Sequence, residues 1–155
     1  MPESKPSSSS SSAAASKQPG GEKGSRQRSG SRRTQQRTAI REALVRTGRP
    51  LSPQEVLEVA QEDVPSLGIA TVYRNLRFLV DEGVIKTVDL PGSGSRFEVA
   101  DLAHHHHFHC QNCDRVFDLH SCPGDLGNLV PDGYVLESHE IILYGSCPSC
   151  PPATE

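Results

Sequence analysis

Between Pro2 and Gly30 the chain has no large apolar side chain. A stretch of Ser, Gly, Ala, Lys, Arg and Gln that includes the run Ser7 to Ser12 cannot bury enough surface to offset its ordering entropy. Residues 1–33 are therefore expected to form a disordered basic tail. The same lack excludes the apolar centre of a signal peptide here, and no later stretch approaches a membrane span. A cytoplasmic protein without a membrane partner is expected. Basic residues are scarce at the other end, where residues 101–155 hold one arginine against eight acids. The overall charge of −3 thus divides into +5 over 1–33, −1 over 34–100 and −7 over 101–155. A basic arm beside a near-neutral segment is compatible with a nucleic-acid partner, and the acidic His- and Cys-rich end points to cations.

No internal repeat is present, and the cysteines do not suit a disulfide framework. They number five, and four of them form the pairs Cys110-Gln-Asn-Cys113 and Cys147-Pro-Ser-Cys150. Each Cys-x-x-Cys hook can offer two thiolates to one ion, and two hooks complete the tetrahedral sulfur shell of a closed structural zinc site. A redox Cys-x-x-Cys would need a thioredoxin-like βαβ context, which is missing. Cys122 stands outside both hooks and reads as a small buried residue.

Hydrophobic spacing organises the rest. In "TQQRTAIREALVRTG" Ile40, Leu44 and Val45 recur at helical intervals, and Gly48 is a helix stop. "LSPQEVLEVAQED" carries a capping box, with Ser52 at the cap, Pro53 at the first helical position and Glu55 three residues on. "LGIATVYRNLRFLVDEG" places Val72, Leu76 and Leu79 or Val80 on one face of a third helix that closes at Gly83. "VIKTVDLPGSGSRFEVA" reads as a hairpin around a turn-rich centre. Three helices followed by a two-stranded ribbon is the element order of a winged helix, expected over residues 34–100. Beyond it, "HHFHC", "RVFDL", "YVLESHE" and "IILYG" are short strand candidates, with a helix or loop from Gly124 to Val130. Residues 101–150 would then be a small α/β domain too thin to stand alone without a metal staple or a second subunit, and 151–155 a terminal tail. The expected class is α+β.

The segment "HHHHFHCQNC" from His104 holds five histidines in ten positions. In a strand His104 and His106 face one way and His105 and His107 the other, so one ion cannot easily take all four. The alternation implies two sites, each needing further ligands. Glu98, Asp118 and Asp125 are carboxylates at suitable remove, and His139 is one more imidazole. Nitrogen and oxygen donors suit Fe²⁺, Mn²⁺, Zn²⁺ or Co²⁺. A solvated polyhistidine loop or an expression tag is the bland reading, and the internal position beside a cysteine hook argues against a tag.

The sequence resembles the ferric uptake regulator (Fur) family of bacterial metal-dependent transcription factors over about residues 33–150. The resemblance rests on "TQQR", "LGIATVYRNL", "SRFE", "HHHHFHCQNC" and "SHEIILYGSCPSC" in that order. It implies a homodimer with an N-terminal winged helix and a C-terminal α/β dimerisation domain, acting as a repressor on an A/T-rich inverted repeat of double-stranded DNA. Cys110, Cys113, Cys147 and Cys150 match the structural zinc site. Glu98, His105, His107 and Asp118 match the regulatory metal site, and His104, His106, Asp125 and His139 an additional one. Tyr73 and Arg74 match recognition-helix residues, while Arg37, Arg32 and Arg33 match positions that contact the DNA backbone or minor groove.

Two departures qualify the match. Many members supply a histidine from the loop before helix two, which here reads "TGRPLS"; the zinc-sensing branch often has a cysteine where Glu98 stands. The second departure tilts the regulatory metal toward Fe²⁺ or Mn²⁺, with zinc sensing and peroxide sensing as alternatives within the family. Outside it, a metal-storage module or a zinc hydrolase is the rival. The H-x-E and P-C-x-x-C pairing of zinc deaminases is absent, and no enzymatic activity is expected.

Overall fold

A computed structural model describes residues 23–151, with side chains from Gly30 onward. Three helices come first: α1 (Lys23–Thr47), α2 (Pro53–Ala60) and α3 (Ile69–Asp81). The start of α1 falls inside the segment 1–33 expected as a tail, so residues 23–33 are helical; residues 1–22 lie outside the described residues. Arg, Gln and Lys are good helix formers but Gly24, Gly30 and the three serines are not, so this extension follows from a helix anchored further along by an apolar face and not from local propensity. Gly48 ends α1 and Gly83 lies just past α3, each in the left-handed region at φ +61° and +68°, where a side chain would be strained.

The helices pack because each turns one stripe inward. Ala39, Ile40, Ala43 and Leu44 of α1 meet Val56 and Ala60 of α2 and Val72, Leu76 and Leu79 of α3. Val45, read as an inward position, is instead half exposed, since it sits beside Leu44 rather than one turn from it. The capping box at α2 is formed: the Glu55 amide donates to Ser52 Oγ at 3.2 Å and the Ser52 amide to Glu55 Oε2 at 2.9 Å. Ser52→Ala is expected to cost about 1 kcal/mol of stability, measurable as a lowered denaturation midpoint with an unchanged slope.

Strands β1 (Ile85–Val88) and β2 (Arg96–Val99) form the expected antiparallel hairpin, and Leu51 bridges to Phe97 on its edge. Side chains alternate along β2 and so serve two different surroundings. Phe97 and Val99 turn toward the helical core, while Arg96 and Glu98 turn away from it and are nevertheless buried. They are buried by the second unit, a three-stranded sheet in the order β4-β3-β5: β3 (His106–Cys110), β4 (Val116–Leu119) and β5 (Ile142–Gly145). Strand β3 pairs antiparallel with β4 and parallel with β5. A 3₁₀ turn, Gly127–Leu129, occupies part of the stretch expected as helix or loop.

Residues 134–140, "YVLESHE", are not a strand, contrary to their alternation. A strand needs a partner ladder, and this stretch has none among the described residues; Tyr134 and Val135 are exposed. The apolar cluster serving the sheet is small: Val88, Leu90 and Val116, with Ile142 against them. The thin core expected from the sequence is present in the fold. Among the described residues no helix is long and apolar enough to cross a membrane.

Candidate metal centres

Among the described residues, three groups of His, Cys and acidic side chains converge, and within each the candidate ligand atoms lie within 4.8 Å of one another. The first is Cys110, Cys113, Cys147 and Cys150, brought together because β5 runs parallel to β3 and delivers the second hook beside the first. Asn112 ties the hooks, donating to Ser146 Oγ at 3.2 Å and to the Pro151 carbonyl at 2.7 Å. Cys113 Sγ and Cys147 Sγ are 3.8 Å apart, and Zn–S bonds of about 2.3 Å in a tetrahedron put sulfurs about 3.8 Å apart. All four thiols are free. The set therefore fits a tetrathiolate ion. Burial opposes ionisation of Cys110, yet the amides of Cys147, Cys113 and Asn112 outweigh it and bring that thiol down to about 6. Cys150 is pushed up to about 12, first by its contact with the Cys113 thiol and then by its partial desolvation. One thiolate forms readily at Cys110, whereas Cys113 and Cys150 are pushed up and hold their protons until a cation displaces them.

The second group is Glu98, His105, His107 and Asp118. Glu98 arrives from the hairpin by the β2 alternation, and Asp118 stands directly across the ladder from His107. His105 and His107 Nε2 each approach Glu98 to 3.2 Å, and both lie 3.9 Å from Asp118 Oδ1. All four side chains are at least nine-tenths buried. His105 donates Nδ1–H to the Ala103 carbonyl at 2.7 Å, which fixes its tautomer. With Nδ1 so engaged, Nε2 is the ring nitrogen left to face Glu98 and to serve as a ligand atom. Asp118 Oδ1 and His107 Nδ1 are buried without a hydrogen-bond partner among the described residues. Burial opposes ionisation of Glu98, but hydrogen bonds from His107 and Lys86 prevail and hold its carboxyl down to about 2. Burial and the neighbouring Glu98 push Asp118 the other way. Lys86, opposite Glu98 in the hairpin register, places Nζ 2.9 Å from Glu98 Oε1. Sequence reasoning missed this lysine, whose role depends on hairpin register alone.

The third group is His104, His106, His139 and Cys122. The division of the histidine run into even and odd pairs is present. Asp125, however, is not among these residues: its Oδ1 accepts the Gly127 amide at 2.7 Å and opens the 3₁₀ turn. Cys122 is exposed rather than buried, and its Sγ lies 3.2 Å from His139 Nε2.

His109, left without a role by its spacing, bonds Asp114 Oδ1 at 2.6 Å. Asp114 comes directly after the first hook in the left-handed region, at φ 58°, and its other oxygen accepts from the buried Arg96 of the hairpin at 2.5 Å. Wing and cysteine hook are thereby joined by a charged pair.

On the helical unit, Tyr73 and Arg74 project from α3 into solvent. Arg33, Arg37 and Arg74 line one concavity between α1 and α3. Arg37 is more constrained than its sequence suggests, with its guanidinium 3.5 Å from the centre of the Phe78 ring and Nε donating to Asn75. Arg32 is exposed on α1.

Known proteins share this arrangement of sequence and fold. Residues 28–144 match the model of the ferric uptake regulator family. The peroxide-responsive repressor PerR of Staphylococcus saprophyticus is 32% identical over 121 residues, covering 74% of this chain and 79% of that protein. The ferric uptake regulation protein of Bordetella parapertussis is 32% identical over 105 residues, covering 66% and 76%. Among solved structures, Helicobacter pylori Fur, described as revealing three functional metal binding sites, superposes with a TM-score of 0.61 at 27% identity, covering 81% of this chain and 89% of that one.

Proposed function

The chain belongs to the ferric uptake regulator family, and from that premise we propose that it is a homodimeric, metal-dependent repressor of metal uptake or homeostasis genes. The observation that carries the reading is the second cluster: Glu98 comes from the wing, and His105, His107 and Asp118 from the sheet unit. Two imidazoles and two carboxylates suit Fe²⁺ or Mn²⁺, with Zn²⁺ held separately by the four cysteines. When bound, the regulatory cation supplies the divalent charge that this donor set requires. Glu98 is then held to the sheet unit, and the hairpin that carries it sets the orientation of α3. Tyr73 and Arg74 meet base edges, while Arg32, Arg33 and Arg37 meet phosphates or the minor groove.

Two such units address half-sites about one helical turn apart only if the dimer fixes their separation. The exposed Leu129, Tyr134, Val135 and Leu143 of the sheet unit supply apolar surface for that dimer. The test is binding to an A/T-rich inverted-repeat duplex with Mn²⁺ and with chelator. Tight binding only with Mn²⁺ supports the reading, and equal binding in both sinks it.

Lys86 gives a further expectation. Its ammonium neutralises Glu98 where the cation would sit, so Lys86→Gln should tighten Mn²⁺ binding about two- to fivefold, the size expected of a pair whose ammonium is half exposed. Calorimetric titration measures this, and weaker binding would mean that the lysine assists the metal instead.

Similarity to a peroxide-responsive repressor supports a second reading of the same site. Release of operator by the Fe²⁺-loaded but not the Mn²⁺-loaded protein after hydrogen peroxide would favour it.

A further inference from the structure

We propose that the third cluster is a thiolate-bearing site, with Cys122 completing a three-histidine, one-sulfur shell that takes Zn²⁺ or Co²⁺ in preference to Fe²⁺ or Mn²⁺. The inference rests on reading the cluster as a metal centre and adds its ligand set and metal class.

Four observations carry it. The ring centres of His104, His106 and His139 are 4.6, 4.7 and 5.0 Å apart, packed edge to face or tilted around a common point. Cys122 Sγ joins them at 3.2 Å from His139 Nε2. His106 is 1% exposed, and among the described residues neither of its ring nitrogens has a hydrogen-bond partner. An imidazole buried in that state is unfavourable in the metal-free protein and is satisfied by a ligand. Finally, the alternative donor is engaged elsewhere: Asp125 caps the turn at Gly127, where a Cβ would meet Asp125 Oδ1 at 2.8 Å, so the glycine leaves room for that carboxylate.

The two histidine sites then differ in softness. Glu98 and Asp118 give the regulatory site hard oxygen donors, whereas a thiolate with three imidazoles favours zinc-like ions. Binding at Cys122 converts the thiol to a thiolate and releases one proton to solvent, with no change of oxidation state. A cavity lined by His106, Cys122, Pro123, Ile141 and Leu143 opens beside two of the four ligands, and His104 and His139 line a neighbouring one.

The experiment uses the full chain with the four-cysteine site already holding zinc. Co²⁺ is titrated while absorption and released zinc are monitored. Wild type should take up Co²⁺ with a sulfur-to-cobalt charge-transfer band and no zinc release. Cys122→Ser should lose the band, and its Zn²⁺ affinity at this site should fall at least tenfold, a floor taken from the loss of outer-shell partners. Asp125→Asn should change neither, and Mn²⁺ binding at the Glu98 site should be the same in all three proteins. A band that persists in Cys122→Ser, or disappears in Asp125→Asn, overturns the thiolate assignment while leaving a metal site. Co²⁺ uptake unaffected by His106→Ala overturns the site itself. Neither result depends on DNA binding.

Discussion

Cys147→Ser is expected to abolish tight zinc binding by the four-cysteine group and to convert the proposed homodimer to monomer. Cys147 is buried, its Sγ lies 3.8 Å from that of Cys113, and its amide donates to Cys110 Sγ at 3.3 Å. Removing it deletes one corner of the shell and loosens the hook that holds β5 against β3. The apolar cluster behind the sheet, Val88, Leu90, Val116 and Ile142, offers little to replace it. Burial of a few such side chains contributes about 1.5–3 kcal/mol each, whereas structural zinc in small peptides contributes about 10–16 kcal/mol. The metal contribution is the larger, so the sheet unit should lose its packing and the dimer surface with it. The helical unit has its own core around Ile40, Leu44, Val72 and Leu76 and should keep its helical circular dichroism. Metal analysis and sedimentation velocity on the purified variant measure both outcomes. A variant that retained zinc and dimer would remove the structural role assigned to this cysteine.

The second large effect concerns His105→Ala combined with His107→Ala. Both imidazoles face Glu98 at 3.2 Å, and without them the carboxylate keeps only Lys86 on its own hairpin. Nothing in the second cluster would then link the wing to the sheet. The metal-dependent gain in operator affinity, about 5- to 150-fold for a coupling of ordinary size, should vanish. The four-cysteine zinc and the dimer should remain, because neither histidine belongs to the four-cysteine group. Fluorescence anisotropy with labelled operator reads the first, and metal content with sedimentation the second. Loss of fold in the double variant would mean that the two sites are not separable.

Much of this is legible in local pattern. The capping box at Ser52, the glycine stops and the two hooks depend on residues a few positions apart, and each forms as its spacing predicts. The split of the histidine run comes from strand alternation, which operates even where the ladder begins only at His106. Other features are hidden because they depend on distant chain segments. Cys122 and Asp125 lie in an irregular stretch with no periodicity, and which one meets His139 is decided by the turn at Gly127. Residues 134–140 alternate like a strand, but alternation does not supply a partner. Arg96 has no distinguishing mark in the hairpin sequence, yet it links to Asp114 and through it to His109, a contact spanning the wing and the first hook. The helical segment 23–33 escapes a reading by composition because low apolar content says nothing against extending a helix already anchored downstream.

In the proposed repressor, occupancy of the Glu98, His105, His107 and Asp118 cluster is coupled to operator binding, and coupling between two binding events is reciprocal. The most direct measurement is a Mn²⁺ titration of the dimer, zinc retained, in the absence and in the presence of saturating operator duplex. Operator should tighten Mn²⁺ binding by the same factor by which Mn²⁺ tightens operator binding, and the effect should be absent from the His105→Ala, His107→Ala variant. Identical Mn²⁺ affinities with and without operator would contradict the account.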